Sequence, residues 1–189
     1  MKTTSIRLLP LVAALGLSAG AAMAQTGVID TARSASSMDY QLARADRKFI
    51  QDAAESGMFE VEIARLAESK ASSADVKDFA STLAQDHGKA NDELVQLANS
   101  KKVELPAAPP RGKRKDVEKM AKLTGNEFDQ RFVREVGIKD HEKAIKKFEK
   151  ASANAKDADL KAWVDKTLPK LREHLAVAQK MPFVKKAGS

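Results

Sequence analysis

Four long stretches of this chain repeat their apolar residues in alternating steps of four and three, the period of a helix with one buried face. The first runs through Phe49, Ala53, Gly57, Glu60, Ala64 and Ala67, and the second through Val76, Ala80, Leu83, His87, Ala90, Leu94 and Leu97. The third places His141 among Val133, Gly137, Ile145 and Phe148, and the fourth runs through Leu160, Val164, Thr167, Leu171, His174, Ala178 and Met181. An all-α fold follows. Each stripe also holds one carboxylate or imidazole: Glu60 on the first helix, and on the other three the only three histidines of the chain. One carboxylate or imidazole per helix, all facing inward, is how helical bundles build an internal polar site.

Punctuation residues set the boundaries. A first helix is expected over 43–70, and Ser72-Ser73-Ala74-Asp75 breaks it and offers an N-cap for a second that ends near Ser100. The segment from Leu105 to Gly112 holds three prolines and a glycine, so it reads as extended connector. A short charged helix follows over Lys113 to Leu123, ended by Gly125. The third long helix spans 126–155 with Gly137 a weak point, and Asp157 caps a fourth that reaches Lys180, with a kink expected at Pro169. The turn beginning Lys70-Ala-Ser echoes the one beginning Lys150-Ala-Ser, which suggests a duplicated hairpin. With the long middle connection, the expected architecture is a ferritin-like four-helix bundle whose crossover carries the short extra helix.

The ends of the chain read differently. Lys2 and Arg7 precede an apolar stretch from Leu8 to Ala22, and Ala22-Met23-Ala24 is a small-x-small cleavage site. Residues 1–24 are therefore expected to be a signal peptide cleaved before Gln25, which makes the mature protein exported and periplasmic. A flexible leader over 25–42, a bundle domain over 43–181 and a basic tail over 182–189 complete the expected organisation. The apolar run is too short for a good membrane span, so no transmembrane segment is expected in the mature chain. The chain has no cysteine, which excludes disulfides, thiolate ligands and cysteine nucleophiles.

Losing Lys2 and Arg7 reduces the formal charge from +7 to +5, a mild basic bias. Lys139, Lys143, Lys146 and Lys150 form a ridge on the third long helix, but Glu142 and Glu149 interrupt it as on a solvated face. One Trp, one Tyr and no recognition motif argue against nucleic acid as a partner. An envelope surface or another protein remains the partner class.

Distances along the helices bring Glu60 and the three histidines within roughly 10 Å of the middle of a crossover bundle about 40 Å long. His87 lies about 22 Å from the first turn, and His141 and His174 lie about 22 and 27 Å from the second. An acid precedes each histidine: Asp86, Asp140 and Glu173. Neighbouring helix positions point about 100° apart, so these acids are candidates to hold a histidine of another helix rather than their own. Two readings compete for the cluster. In the favoured one the histidines form a buried hydrogen-bonded layer with no resident cofactor, in a non-enzymatic binding or envelope-stress protein. In the alternative, Glu60, His87, His141 and His174 hold a divalent transition metal. The sequence argues against carboxylate di-iron chemistry, because Ala84 and Leu171 stand where its Glu-x-x-His motifs need glutamate. No phosphate loop, nucleophile elbow or His-Glu-x-x-His motif is present.

The order of these motifs is similar to a known family. Gly57-Met-Phe-Glu-Val-Glu-Ile-Ala-Arg-Leu-Ala67, Val76-Lys-Asp-Phe-Ala80, Asp86-His87, Phe128-Asp129, Asp140-His141-Glu142 and Leu168-Pro169-x-Leu171-x-x-His174-Leu175 together resemble an exported bacterial family catalogued as domain of unknown function 4142. The resemblance covers about Asp46 to Lys180. It implies a ferritin-like four-helix bundle in the periplasm or outer membrane, and it brings no established activity.

Overall fold

A computed structural model describes residues 42–183; the expected signal peptide, most of the leader and the end of the basic tail lie outside them. Among the described residues the fold is all-helical. Helix α1 spans Arg44–Lys70, α2 Ala74–Ser100, α3 Arg111–Ala121 and α4 Gly125–Phe132. A π-helical segment, Val133–Asp140, joins α4 to α5 (His141–Asn154), and α6 spans Ala158–Lys180. No described helix is long and apolar enough to cross a membrane.

Two apolar clusters fix the direction of every helix. Ile50 and Ala54 near the start of α1 pack with Leu94 and Ala98 near the end of α2 and with Leu160, Trp163 and Val164 at the start of α6, against Phe148 of α5. At the other end Ile63 and Ala67 of α1 pack with Val76, Phe79 and Leu83 of α2, Phe128 and Phe132 of α4, and Ala178 of α6. Helix α2 therefore ends in the first cluster, whereas α4 begins in the second. The connector with α3 carries the chain back over that length, so α2 and the α4–α5 run point the same way. The turn joining α1 to α2 and the turn joining α5 to α6 lie at opposite ends.

Each turn is held by an aspartate from the other half of the chain. Asp129 of α4, 1% exposed, accepts hydrogen bonds from the N–H of Ser72 (3.0 Å) and of Ser73 (2.8 Å) and from the Ser72 hydroxyl. Asp46 of α1 accepts from the N–H of Lys156 and of Asp157, both at 2.8 Å. The expected local cap of α2 is thereby corrected: Ser73 occupies the N-cap position but its side chain makes no capping bond. A buried carboxylate instead holds the two residues ahead of the helix, reaching Ser73 N–H from 56 residues away. At α6 the local cap does form, with Asp157 accepting from the N–H of Leu160 at 2.8 Å.

One further boundary shifts: helix α3 starts two residues earlier than its charge pattern suggests, whereas α6 runs to Lys180 as expected, with Pro169 inside it. Gly125 has φ +57°, a left-handed conformation that suits glycine between α3 and the body of α4. The expected single helix over 126–155 is interrupted by the π segment around Gly137. There the backbone approaches α2 and α6 closely: a Cβ built on Gly137 would lie 2.9 Å from Ala178 Cβ and 3.1 Å from Phe79 Cε1. Gly137→Ala is accordingly expected to destabilise the protein by about 1–3 kcal/mol through overpacking. A urea midpoint equal to that of the unaltered chain would contradict this contact.

Candidate metal centre

Three helices deliver the histidines. His87 comes from α2, His141 from the point where the π segment passes into α5, and His174 from α6; they are 9%, 1% and 4% exposed. Ring centroids lie 5.3–5.6 Å apart for all three pairs. One ring nitrogen from each histidine falls in a group whose members all lie within 4.8 Å of one another.

Hydrogen bonds fix which nitrogens carry protons. His141 Nδ1 lies 2.9 Å from the Val136 carbonyl oxygen, which can only accept, so Nδ1–H donates and Nε2 holds the lone pair. His174 Nε2 lies 2.9 Å from Asp86 Oδ2, so Nε2–H donates to the carboxylate and Nδ1 holds the lone pair when the ring is neutral. Those two lone-pair nitrogens, His141 Nε2 and His174 Nδ1, face each other at 3.3 Å. Between neutral rings this separation holds no proton, so both atoms are acceptors. The third ring adds another unsatisfied group: His87 Nε2 is buried and has no hydrogen-bond partner among the described residues.

This arrangement suits a metal ion chemically. Two nitrogens bound to a tetrahedral ion at 2.0–2.1 Å stand about 3.3–3.4 Å apart. A backbone carbonyl and a carboxylate on the opposite ring nitrogens are the usual partners that orient metal-binding histidines. The expected acidic partners divide accordingly. Asp86 of α2 holds His174 of α6, whereas Asp140 pairs with Lys113 at 2.8 Å and Lys143 at 3.6 Å. Glu173 is exposed and pairs with Lys170 at 2.9 Å.

Glu60 lines a cavity of about 500 Å³ together with His87 and His141, but it is not a member of the close nitrogen group. It is 8% exposed, and its Oε2 has no hydrogen-bond partner among the described residues. Two residues beside it escape a reading of the sequence. Lys113 of α3 sits over the Phe59 ring at 4.1 Å, and Asn91 of α2 occupies the space a Cβ on Gly57 would need, with Oδ1 at 1.9 Å from that position. Gly57 on the apolar stripe was the available signal for the second; the first lies in a segment that reads as charged surface.

Burial sets the charge state. It pushes His87 down to about 3, aided by His141 and His174. It pushes His141 down to about 4 against the opposing Val136 bond, and it lowers His174 against the opposing Asp86. All three rings are neutral at pH 7, the form that binds metal. Burial, with Asp140 adding to it and Lys113 opposing it, raises Glu60 to about 8, so this carboxyl is protonated at neutral pH.

Stability of the metal-free chain follows from these shifts. Unfolded histidines take up protons below about pH 6.5, while the folded His87 and His141 do not. Acid therefore favours unfolding increasingly as the pH falls from about 6.5 towards 4. Glu60 acts in the opposite direction: it ionises above about 4.5 only when unfolded, so its penalty grows as the pH rises to about 8. The expected profile peaks between about pH 6 and 7, with an acid limb of about 1–2 kcal/mol per pH unit near pH 5. Glu60→Gln is expected to flatten the alkaline limb and to steepen the acid limb, because the Glu60 penalty already grows above about pH 4.5. Urea midpoints from pH 4 to 9 check both, and a flat profile would contradict the buried neutral cluster.

A family model described as a domain of unknown function (DUF4142) matches residues 31–181. No curated protein and no solved structure matches the chain.

Proposed function

We propose, for a chain that belongs to the DUF4142 family of unknown function, that it is an exported, ferritin-like four-helix protein that binds one divalent transition-metal ion through His87, His141 and His174. The carrying observation is the pair of facing lone pairs on His141 Nε2 and His174 Nδ1, 3.3 Å apart, with opposite ring nitrogens committed to Val136 and Asp86. A purely structural layer leaves those acceptors and His87 Nε2 unsatisfied, at a cost of about 1–3 kcal/mol for each buried group. A metal ion satisfies all three. This weighs against the buried-layer reading favoured by the sequence.

Three imidazoles suit zinc, copper, nickel or ferrous iron better than calcium or magnesium, which prefer oxygen. Glu60 is not counted as a ligand, since it lies outside the close group of His87, His141 and His174. The ferritin-like assignment draws support from the two hairpins, the long return between them and the parallel course of α2 and the α4–α5 run. Export draws support from the signal-like residues Lys2 to Ala24, which lie outside the described residues. We read the protein as a binding protein rather than a catalyst.

Elemental analysis of untagged protein purified from the periplasm tests the reading. About one equivalent of a transition metal, lost in the His87→Ala/His174→Ala variant, is expected. Metal-free protein that also takes up none on dialysis would overturn it.

A further inference from the structure

The cavity beside Glu60 has a second character that the histidines do not use. It opens along the seam between α1 and α5, where Ala45 and Ala53 on one side and Ala144 and Ala151 on the other leave room that larger residues would fill. Its walls include Phe49, Phe148, Leu160 and Trp163, with Phe148 packed 5.2 Å from Phe49 and 5.5 Å from Trp163 between ring centroids. At about 500 Å³ it falls within the usual range of small-molecule pockets, about 300–1,000 Å³.

Its lip is basic. Lys143, Lys147 and Lys150 stand on one face of α5, exposed and bordering the opening. Lys143 is engaged by Asp140, and on the α1 lip Lys48 is engaged by Asp52. Lys147 and Lys150 form no ion pair among the described residues, so two cations stand over an apolar chamber. Glu60, whose buried Oε2 has no hydrogen-bond partner among the described residues, also lines the cavity.

We infer that this cavity binds a free single-chain amphiphile with a carboxylate head, its chain among the aromatic walls and its head on Lys147 and Lys150. Apolar burial supplies the attraction, and the unpaired ammonium groups select the charge of the head. The cavity shares His87 and His141 with the proposed metal centre, but the inference does not rest on a bound ion and is tested on metal-free protein.

Trp163 is the only tryptophan of the chain and lines the cavity, so its emission reads occupancy directly. Dodecanoate below its micelle concentration is expected to change that emission saturably, while dodecyltrimethylammonium binds at least tenfold more weakly and acetate does not bind. The surface variant Lys147→Glu/Lys150→Glu is expected to weaken dodecanoate at least tenfold with unchanged circular dichroism. Ala151→Phe, which fills the cavity, should abolish the response. No saturable change, or equal binding of the cationic amphiphile, would overturn the inference. So would pelleting with anionic phospholipid vesicles by a chain blind to dodecanoate, which makes the lip a membrane contact. A Trp163 emission that shifts with protein concentration alone would assign the cavity to a second copy.

Discussion

A small excess of Zn²⁺ is expected to raise the melting temperature of the metal-free chain by about 8–16 °C. The estimate assumes free metal about a thousandfold above Kd, where binding to the folded state alone adds about 4 kcal/mol. A chain of this size shifts by about 2–4 °C for each kcal/mol. The effect is large because the metal meets rings that are already neutral and oriented by Val136 and Asp86. In the His87→Ala/His174→Ala variant the shift is expected to vanish, since a single imidazole remains. Calorimetry on both proteins decides it, and an equal shift in the variant would move the metal elsewhere.

Asp129→Ala is expected to cost about 2–6 kcal/mol, from two backbone N–H groups each left without a partner at about 1–3 kcal/mol. The carboxylate receives three hydrogen bonds from Ser72 and Ser73, and its loss strands two backbone N–H groups at the α1–α2 turn. Asp129→Asn keeps one acceptor oxygen and the same volume, so a smaller loss is expected. Guanidinium titration of the three proteins measures the series. A loss below about 1 kcal/mol for the alanine variant would show that the turn is held by its own residues.

The long helices were legible because each carries an unbroken apolar stripe between polar breaks; α1 and α2 end at Lys70 and Ser100, where the sequence puts them. That the three histidines meet near the middle of the bundle was legible from helix rise together with the expected crossover. The identity of the acid that holds a histidine was not, because Asp86, Asp140 and Glu173 stand in the same relation to their own histidines. Only packing of α2 against α6 distinguishes Asp86, while Lys113 and Lys170 draw the other two away. The π segment was hidden for a related reason: Gly137 marks a weak point, but a change from i→i+4 to i→i+5 bonding leaves the apolar residues in nearly the same order. Asp46 and Asp129 act across 110 and 57 residues, so no local pattern reveals their donors. The cavity left only alanines as a trace, and alanine is ordinary in any helix.

The proposed fixed imidazole tautomers and a single shared ion are tested most directly by anomalous scattering at the zinc edge from crystals grown with Zn²⁺. The account predicts one strong peak bonded to His141 Nε2 and His174 Nδ1 at about 2.0–2.1 Å, with a nitrogen of His87 drawn in as the third ligand. A peak held by surface carboxylates, or none within reach of these nitrogens while the crystals hold zinc, would contradict it.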